Sequence, residues 1–371
     1  MLLHKKTEFT RKELKMRKLA SIRIIEKISP IEGADKIELA HTGLWQCVVS
    51  KNQFKVGEKA VFFEIDSALP VEDLRYEFLK TRCLKRWSKG PRLLKEVIRI
   101  RTCKFKGEIS QGLFMPLSSY PELTLEEQTV GFNLTEKLKV LHYDEIAEHM
   151  FLLNRKAQLS GDQKGPFPSF IPKTDEERLQ NLPEYFTEKL DVEFECTEKF
   201  DGSSLTIFYA PTIRACDPFG VCSRNFELKI NETSNNNFVA MAKELNLENK
   251  LKNLNLDIAI QGELVGPGIN SNRDFYEDYD YRVFRIYDCK NRKFLPPLER
   301  RNLCERLNLK HVKIIKDNWK VFQDFKTFND FLEFVQGKTD RGYEREGMVW
   351  KSIDGFTSFK VINNQYLLNE K

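Results

Sequence analysis

The sequence predicts an α+β protein in two parts: a small barrel of short strands, then a larger domain in which strands alternate with helices. Three observations point there. Short β-like runs crowd the first hundred or so residues, with no long helical stretch between most of them. A polar, Gly- and Pro-rich stretch, Ser160-Gly161-Asp162-Gln163-Lys164-Gly165-Pro166-Phe167-Pro168, then interrupts the pattern. Beyond it, strand-like runs alternate with helical stretches at Asn237 to Leu251 and Leu298 to Leu307.

Taken in order, residues 1–18 read as a basic helical lead-in. The chain turns β-like at Leu19. Ile22–Ile25, Ile37–Ala40, Trp45–Val49, Ala60–Ile65, Glu96–Arg101 and Gln111–Leu117 are the candidate strands. Gly33-Ala34-Asp35 and Val56-Gly57-Glu58 supply turns between them. So many short strands in so little chain suggest an OB-like barrel over residues 1–140, a shape that commonly holds nucleic-acid strands. Residues 141–184 read as a linker. Within it, Phe170–Lys173 looks extended and Thr174 is placed to cap a following helix. Residues 185–371 form the second domain.

At 371 residues the chain can bury two cores. Hydrophobic residues at 41% and charged residues at 31% suit a soluble globular protein. No apolar run approaches the roughly 18 residues of a membrane helix. The N-terminus lacks the apolar core of a signal peptide. Eight cysteines include no Cys-x-x-Cys pair, and so read as reduced thiols, not as a disulfide frame or a zinc site. Five scattered histidines give little support to a histidine metal site or triad. The expectation is an intracellular, soluble monomer of cytoplasm or nucleus, away from membranes.

Net charge is only +5, but it is unevenly spread. Eleven basic residues lie between Lys80 and Lys106, opposed by Glu96 alone and interleaved with Trp87 and Phe105. A phosphate backbone suits such a run; so does a solvated loop and strand face.

The densest chemical signal is Glu198-Lys199-Phe200-Asp201-Gly202. Alternating runs flank it, Val192–Thr197 and Ser204–Tyr209, so it reads as strand, short turn, strand. A nucleophilic lysine must lose its proton, against an ordinary pKa of about 10.4. Burial or a nearby cation would favour the neutral amine. A hairpin turn with a solvated lysine is the alternative reading of the same residues. Four more segments follow: Val221-Cys222-Ser223-Arg224-Asn225, Ala259 to Gly268, Tyr281 to Asp288, and Glu344 to Lys351 leading to Ser358 to Asn364. Taken singly, each fits a turn, a core strand or a surface charge.

As an ordered set, these segments resemble motifs I, Ia, III, IIIa, IV and V of the covalent nucleotidyltransferases: ATP-dependent DNA and RNA ligases and mRNA capping enzymes. Gly262-Glu263-Leu264-Val265-Gly266-Pro267-Gly268-Ile269 is similar to a run in RNA ligases that seal nicks in duplexes. Ile31–Asp35 and Phe63–Ser67 resemble the N-terminal OB domain of one RNA ligase branch. The resemblance covers nearly the whole chain. Seven residues follow Asn364, leaving no room for the C-terminal OB domain of DNA ligases and capping enzymes.

The resemblance implies an antiparallel nucleotidyltransferase domain and a three-step RNA ligase working in RNA repair. Lys199 would attack ATP to form lysyl-AMP, AMP would pass to a 5′-phosphate, and a 3′-OH would then displace it. By motif match, Glu198 contacts the adenine edge and Phe284 its face. Gly202 lies in the nucleotide site. Arg224 holds a phosphate or the ribose, and Glu263 the ribose. Glu346 binds Mg2+ or Mn2+, with Asp201 close by, and Lys351 and Lys360 face the phosphates. Arg82, Lys85, Arg86, Lys89 and Arg92 would dock a nicked duplex containing RNA.

Two departures stand out. Motif V commonly carries Lys-x-Lys, and here Ile362 takes the second place, so Lys360 acts alone or the match shifts by two. Ser204 stands where nick-sealing relatives can carry Asn. Two rival readings remain at this point: a DNA ligase, or a catalytically weak nucleic-acid-binding protein.

Overall fold

A computed structural model describes residues 18–89, 92–143, 146, 162–231, 236–270 and 272–369. Apart from Lys18, the helical lead-in expected over residues 1–18 lies outside them. The chain divides into two compact units, Met1–Phe151 and Leu152–Lys371.

The first unit is built from β1 (Ala20–Ile24), β2 (Lys27–Pro30), β3 (Ile37–Thr42), β4 (Trp45–Ser50), β5 (Lys59–Phe63), β6 (Ser67–Leu69), β7 (Leu84–Lys89), β8 (Arg92–Arg99), β9 (Cys103–Phe105), β10 (Glu108–Ser110), β11 (Leu113–Pro116) and β12 (Leu141–His142). They pair antiparallel in four groups, β1-β5-β11, β2-β3-β4, β12-β6-β8-β7 and β10-β9. β5 lies between two partners and is buried from Ala60 to Phe63, which explains its unbroken apolar run. Ile22, Val61, Phe63, Leu69, Tyr76, Ile98 and Leu134 share one core.

The stretch read as a basic loop before Glu96 is instead β7 paired with β8, from Leu84↔Ile98 to Lys89↔Arg92. Charged side chains hid its period, while the backbone ladder that makes the strand does not depend on them. Arg86 pairs across this ribbon with Glu96. Arg99 is buried, donates to Asp66 at 3.0 Å and lies over Tyr143 at 4.1 Å, so this member of the basic run is an internal support. Trp87 packs against Tyr143 with ring centroids 5.7 Å apart, tilted by 36°.

The second unit holds two antiparallel sheets. The larger orders β13 (Gln163–Pro166), β17 (Phe226–Leu228), β16 (Phe219–Cys222), β15 (Ser203–Tyr209), β18 (Ile258–Val265), β19 (Asp280–Asp288) and β20 (Lys293–Phe294). The smaller orders β21 (Ile314–Trp319), β14 (Phe194–Lys199), β22 (Gly347–Ser352) and β23 (Ser358–Ile362). Helices Asn237–Glu244, Leu247–Leu254 and Pro297–Arg306 bury apolar faces in one core with β15, β16, β18 and β19. Helix Phe328–Val335 starts at a capping box between Thr327 and Asp330. Its Phe331 packs edge-on against Trp350 and Phe359, which stack on one another at 5.1 Å.

Four expectations need correction. The segment 192–209 is strand, turn, strand, but not a hairpin: β14 belongs to the smaller sheet and β15 to the larger. The helix expected from Asn237 to Leu251 breaks at Asn246, whose φ of 51° is left-handed and begins a second helix. Much of the stretch read as linker is part of the second unit. Gln163–Pro166 pairs with β17, and Ile171 and Leu179 are buried. Thr174 caps no helix: residues 172–177 form neither helix nor strand, Arg178 bridges Lys360, and only a 3-10 turn, Leu179–Asn181, follows. The backbone N–H of Lys360 takes up this strap, donating to Glu177 O at 2.8 Å.

All eight cysteines are free thiols. Among the described residues no helix is long and apolar enough to cross a membrane.

Candidate active site

Lys199 is the last residue of β14, where the chain leaves one sheet for the other. Opposite it stands Gly347, which in turn pairs with Ile362 on β23. The strands meet closely there; a Cβ on Gly347 would lie 2.9 Å from the Ile362 Cα. Three residues after Lys199, Gly202 packs its backbone onto β18, and a Cβ there would reach 2.8 Å from the Glu263 Cγ. Glycine at both places lets two sheets converge on one lysine.

Lys199 Nζ is 2.7 Å from Glu346 Oε1. Burial works to lower the Lys199 pKa, but Glu346, Glu263 and Asp201 outweigh it and hold the ammonium above its ordinary value. With only the chain's own groups around it, this lysine is protonated. Neutrality, expected from burial, is not reached because three carboxylates surround the charge. Burial raises Glu263 to about 8, reinforced by Glu346 and Asp201 and opposed by Lys199 and Arg224. Glu346 is raised for the same leading reason, against the pull of Lys199. The cluster carries more carboxylate than its one lysine can answer.

Asp201 is held from three sides. Asn270 Nδ2 donates to Asp201 Oδ1 at 3.2 Å and also to Gly202 O. Arg273 Nε lies 3.9 Å from Asp201 Oδ2. The Tyr366 hydroxyl also hydrogen-bonds Asp201. Arg273 lies over the Tyr366 ring at 4.2 Å and donates to its carbonyl at 3.1 Å. The side chain of fully buried Asn363 donates to Arg345 O at 3.0 Å and its backbone N–H donates to Glu346 O at 2.9 Å, fixing the segment that carries Glu346.

Two cations from different strands converge on one carboxylate. Lys360 Nζ donates to Asp175 Oδ1 at 2.6 Å, and Arg224 Nη2 is 3.8 Å from Asp175 Oδ2. Lys351 is buried, lies 5.9 Å from the Phe284 ring centroid, and is pushed down to about 7 by burial, with Arg300 and Arg285 adding to the effect and Glu176 and Glu195 opposing it. Phe284 is the extra residue of a bulge: Gln261 faces Arg285 and Gly262 faces Val283, so β19 spends two steps against one. Glu198 is buried at the end of β14, 3.9 Å from Arg345 Nε. The register from Lys351↔Ser358 to Gly347↔Ile362 is unbroken, so Ile362 shares the Lys360 face of β23 and is buried there.

Most of the charged residues predicted in the second unit are linked through shared partners; Glu198 instead faces Arg345. Lys199, Asp201, Glu263 and Glu346 form the centre; Lys360 and Arg224 meet at Asp175; Lys351 joins through Glu176, which also feels Lys360. Asn270, Arg273, Tyr366, Asn363 and Asp175 were not anticipated. In the first unit, Arg82, Arg86 and Arg92 are exposed and Lys85 is half-buried, while the Lys89 side chain lies outside the description.

A divalent cation fits this chemistry. Glu346 Oε2 is buried with no hydrogen-bond partner, and the donors nearby are carboxylates, which suit Mg2+ or Mn2+. Among the described residues no group of three or more His, Cys, Asp or Glu makes a complete cage. Such an ion would keep water or ligand oxygens.

A barrel followed by a sheet-rich domain, with a lysine held among carboxylates between two sheets, is the layout of a two-domain enzyme built around one amine. An OB-fold domain model matches residues 19–117, and an RNA ligase model matches residues 192–362. Solved structures of the Naegleria gruberi RNA ligase are similar over nearly the whole chain. A mutant with ATP and Mn is 35% identical, covering 95% of this chain and 99% of that one, with a TM-score of 0.80. The form with PPi is 36% identical over 95% and 98%, TM-score 0.80. A mutant with AMP and Mn is 35% identical over 95% and 99%, TM-score 0.81. No curated protein matched by sequence. The chain belongs to the RNA ligase family.

Proposed function

We propose that the protein is an ATP-dependent RNA ligase that seals nicks in RNA-containing duplexes through a lysyl-AMP intermediate, as part of RNA repair. The observation that carries this is Lys199 at 2.7 Å from Glu346, with Glu263 and Asp201 around it. Relatives solved with ATP, AMP or PPi support the cofactor.

In the first step Lys199 Nζ attacks the α-phosphorus of ATP. An N–P bond forms, the bond to the pyrophosphate oxygen breaks, and the amine gives up its proton. Positioning and charge neutralisation supply most of the rate in such transfers. Glu346 would bind the divalent ion with Asp201 beside it. When bound, that ion supplies positive charge that offsets the carboxylates and favours the neutral amine. Glu198 and Phe284 take the adenine edge and face, and Glu263 the ribose. Arg224, Lys351 and Lys360 face phosphates. The shared hold of Lys360 and Arg224 on the Asp175 carboxylate supports their preference for an anion. Asn270 and Arg273 position Asp201. AMP then moves to a 5′-phosphate, and a 3′-OH attacks that phosphate and releases AMP.

The domains divide the work: the OB fold, with Arg82, Lys85, Arg86, Lys89 and Arg92, docks the duplex, and the second unit carries the chemistry. The protein works as an intracellular monomer.

The test is incubation with ATP labelled at the α-phosphate and Mg2+ or Mn2+, comparing wild type with Lys199→Ala on a denaturing gel. A band in the wild type alone is expected. No band, with no AMP adduct by mass spectrometry, sinks the ligase reading and favours a nucleic-acid-binding role. Nicked substrates with RNA or DNA 3′-OH ends then separate RNA from DNA ligase.

A further inference from the structure

Phe275 and Tyr343 stand on two different loops, one between β18 and β19 and one before β22. Their rings lie 5.1 Å apart at 37°. Both are open to solvent, Phe275 by 63% and Tyr343 by 38%. Arg341 ties the loops together, donating to Asp274 O at 2.8 Å and Phe275 O at 2.9 Å, and lies over Tyr276 at 4.7 Å. Each loop runs directly into the candidate site. Asn270, on the Asp201 carboxylate, precedes Phe275 by five residues, and Glu346 follows Tyr343 by three.

The Phe275 backbone is left-handed, with φ of 49°. A bulky residue seldom adopts that conformation, and strain of this kind collects at binding sites. An exposed aromatic also gives up the burial it could gain elsewhere. Here both disadvantages are accepted together, and the arrangement is fixed by a bidentate arginine rather than left to drift.

We propose that Phe275 and Tyr343 form a stacking platform for a base of the RNA strand beside the junction being sealed. Base stacking on aromatics is indifferent to sequence, as sealing at arbitrary positions requires. The positive guanidinium of Arg341 suits a strand whose backbone is anionic. The adenine of ATP has other contacts, the buried Glu198 and half-buried Phe284, whereas this platform faces solvent, where a polymer continues beyond the enclosed nucleotide. The inference rests on the RNA ligase reading above.

The experiment uses the full chain carrying Phe275→Ala with Tyr343→Ala, and separately Phe275→Trp. Two reactions are measured: labelling by α-labelled ATP, and sealing of a nicked RNA duplex whose 5′ end is already adenylylated, with ATP omitted. The double variant should label at the wild-type rate and ATP dependence. Its KM for the adenylylated nick should rise roughly tenfold, and Phe275→Trp should keep the wild-type KM. An unchanged KM overturns the platform. A higher ATP requirement in labelling would place the rings on the cofactor's adenine and overturn the RNA assignment. Slower labelling at saturating ATP would mark a structural role and also overturn it. If wild type takes no label and carries no AMP adduct by mass spectrometry, the ligase reading itself fails, in a lane independent of the variants.

Discussion

The two units use positive charge in opposite ways. On the β7–β8 ribbon Arg86 and Arg92 stand exposed, as does Arg82 in the helical turn just before it, and Glu96 is the one carboxylate within the run. In the second unit, Lys199 meets Glu346, Lys360 meets Asp175, and Arg300 meets the fully buried Glu195. Exposed cations attract any phosphate backbone loosely, and salt weakens them. Cations packed among carboxylates have little freedom; they hold a geometry, and each loses much of its meaning if its partner goes. On the function proposed above, charge at the surface serves capture, and charge in the cleft serves placement.

The sharpest way to break that contrast is Lys199→Ala. If the cleft is where chemistry happens, transfer of labelled AMP to the protein should vanish, while binding of a nicked duplex, read by gel shift, should stay near wild type. Next in size is Gly202→Ala. The added Cβ crowds Glu263 and the β18 backbone, and a displacement of about 1 Å at the reacting lysine can lower the labelling rate about 100-fold. A rate within twofold of wild type would mean that the cleft tolerates more movement than its packing suggests.

Smaller again is reversal of the ribbon charges, Lys85→Glu with Arg86→Glu and Arg92→Glu. Nick sealing should fall roughly tenfold at low salt, with a shallower salt dependence, and labelling should hold. Equal loss in both assays would remove the distinction between capture and placement. The mildest effect concerns pH. Glu263 has a folded pKa of about 8, above its ordinary 4.5, so its contribution to stability is present below the ordinary value and is lost as pH rises through about 8. In the nucleotide-free protein, Glu263→Gln should flatten the fall in Tm between about pH 5 and 8. A curve parallel to wild type would show that Lys199 neutralises Glu263 more fully than its burial implies.

Legibility in the sequence followed the same divide. Lys199, Glu263 and Glu346 each stand beside a strand end with a glycine nearby, so local pattern and motif order pointed to them. Asp175, Asn270, Arg273 and Tyr366 gain their roles only when distant segments meet; nothing near Tyr366 in the chain signals Asp201. The barrel showed through its alternating strands, but β7 did not, because exposed charges erased its period. Asn246 broke an apparently continuous helix through one backbone angle that composition does not encode. Thr174 had the chemistry of a cap but no helix behind it, since the segment after it is bonded to the Lys360 backbone instead.

The change of sheet at Lys199 has a mechanical consequence. The amine hangs from the end of the smaller sheet, while Glu263 belongs to the larger, so the gap between them is set by how the two sheets lean on each other. Stiffness in the aromatic packing of Phe194, Phe331, Trp350 and Phe359 is therefore felt at Lys199 as a dimension. A softer core behind β14 would act like a loose bearing: the tool keeps its shape, but its tip no longer returns to the same point on every stroke.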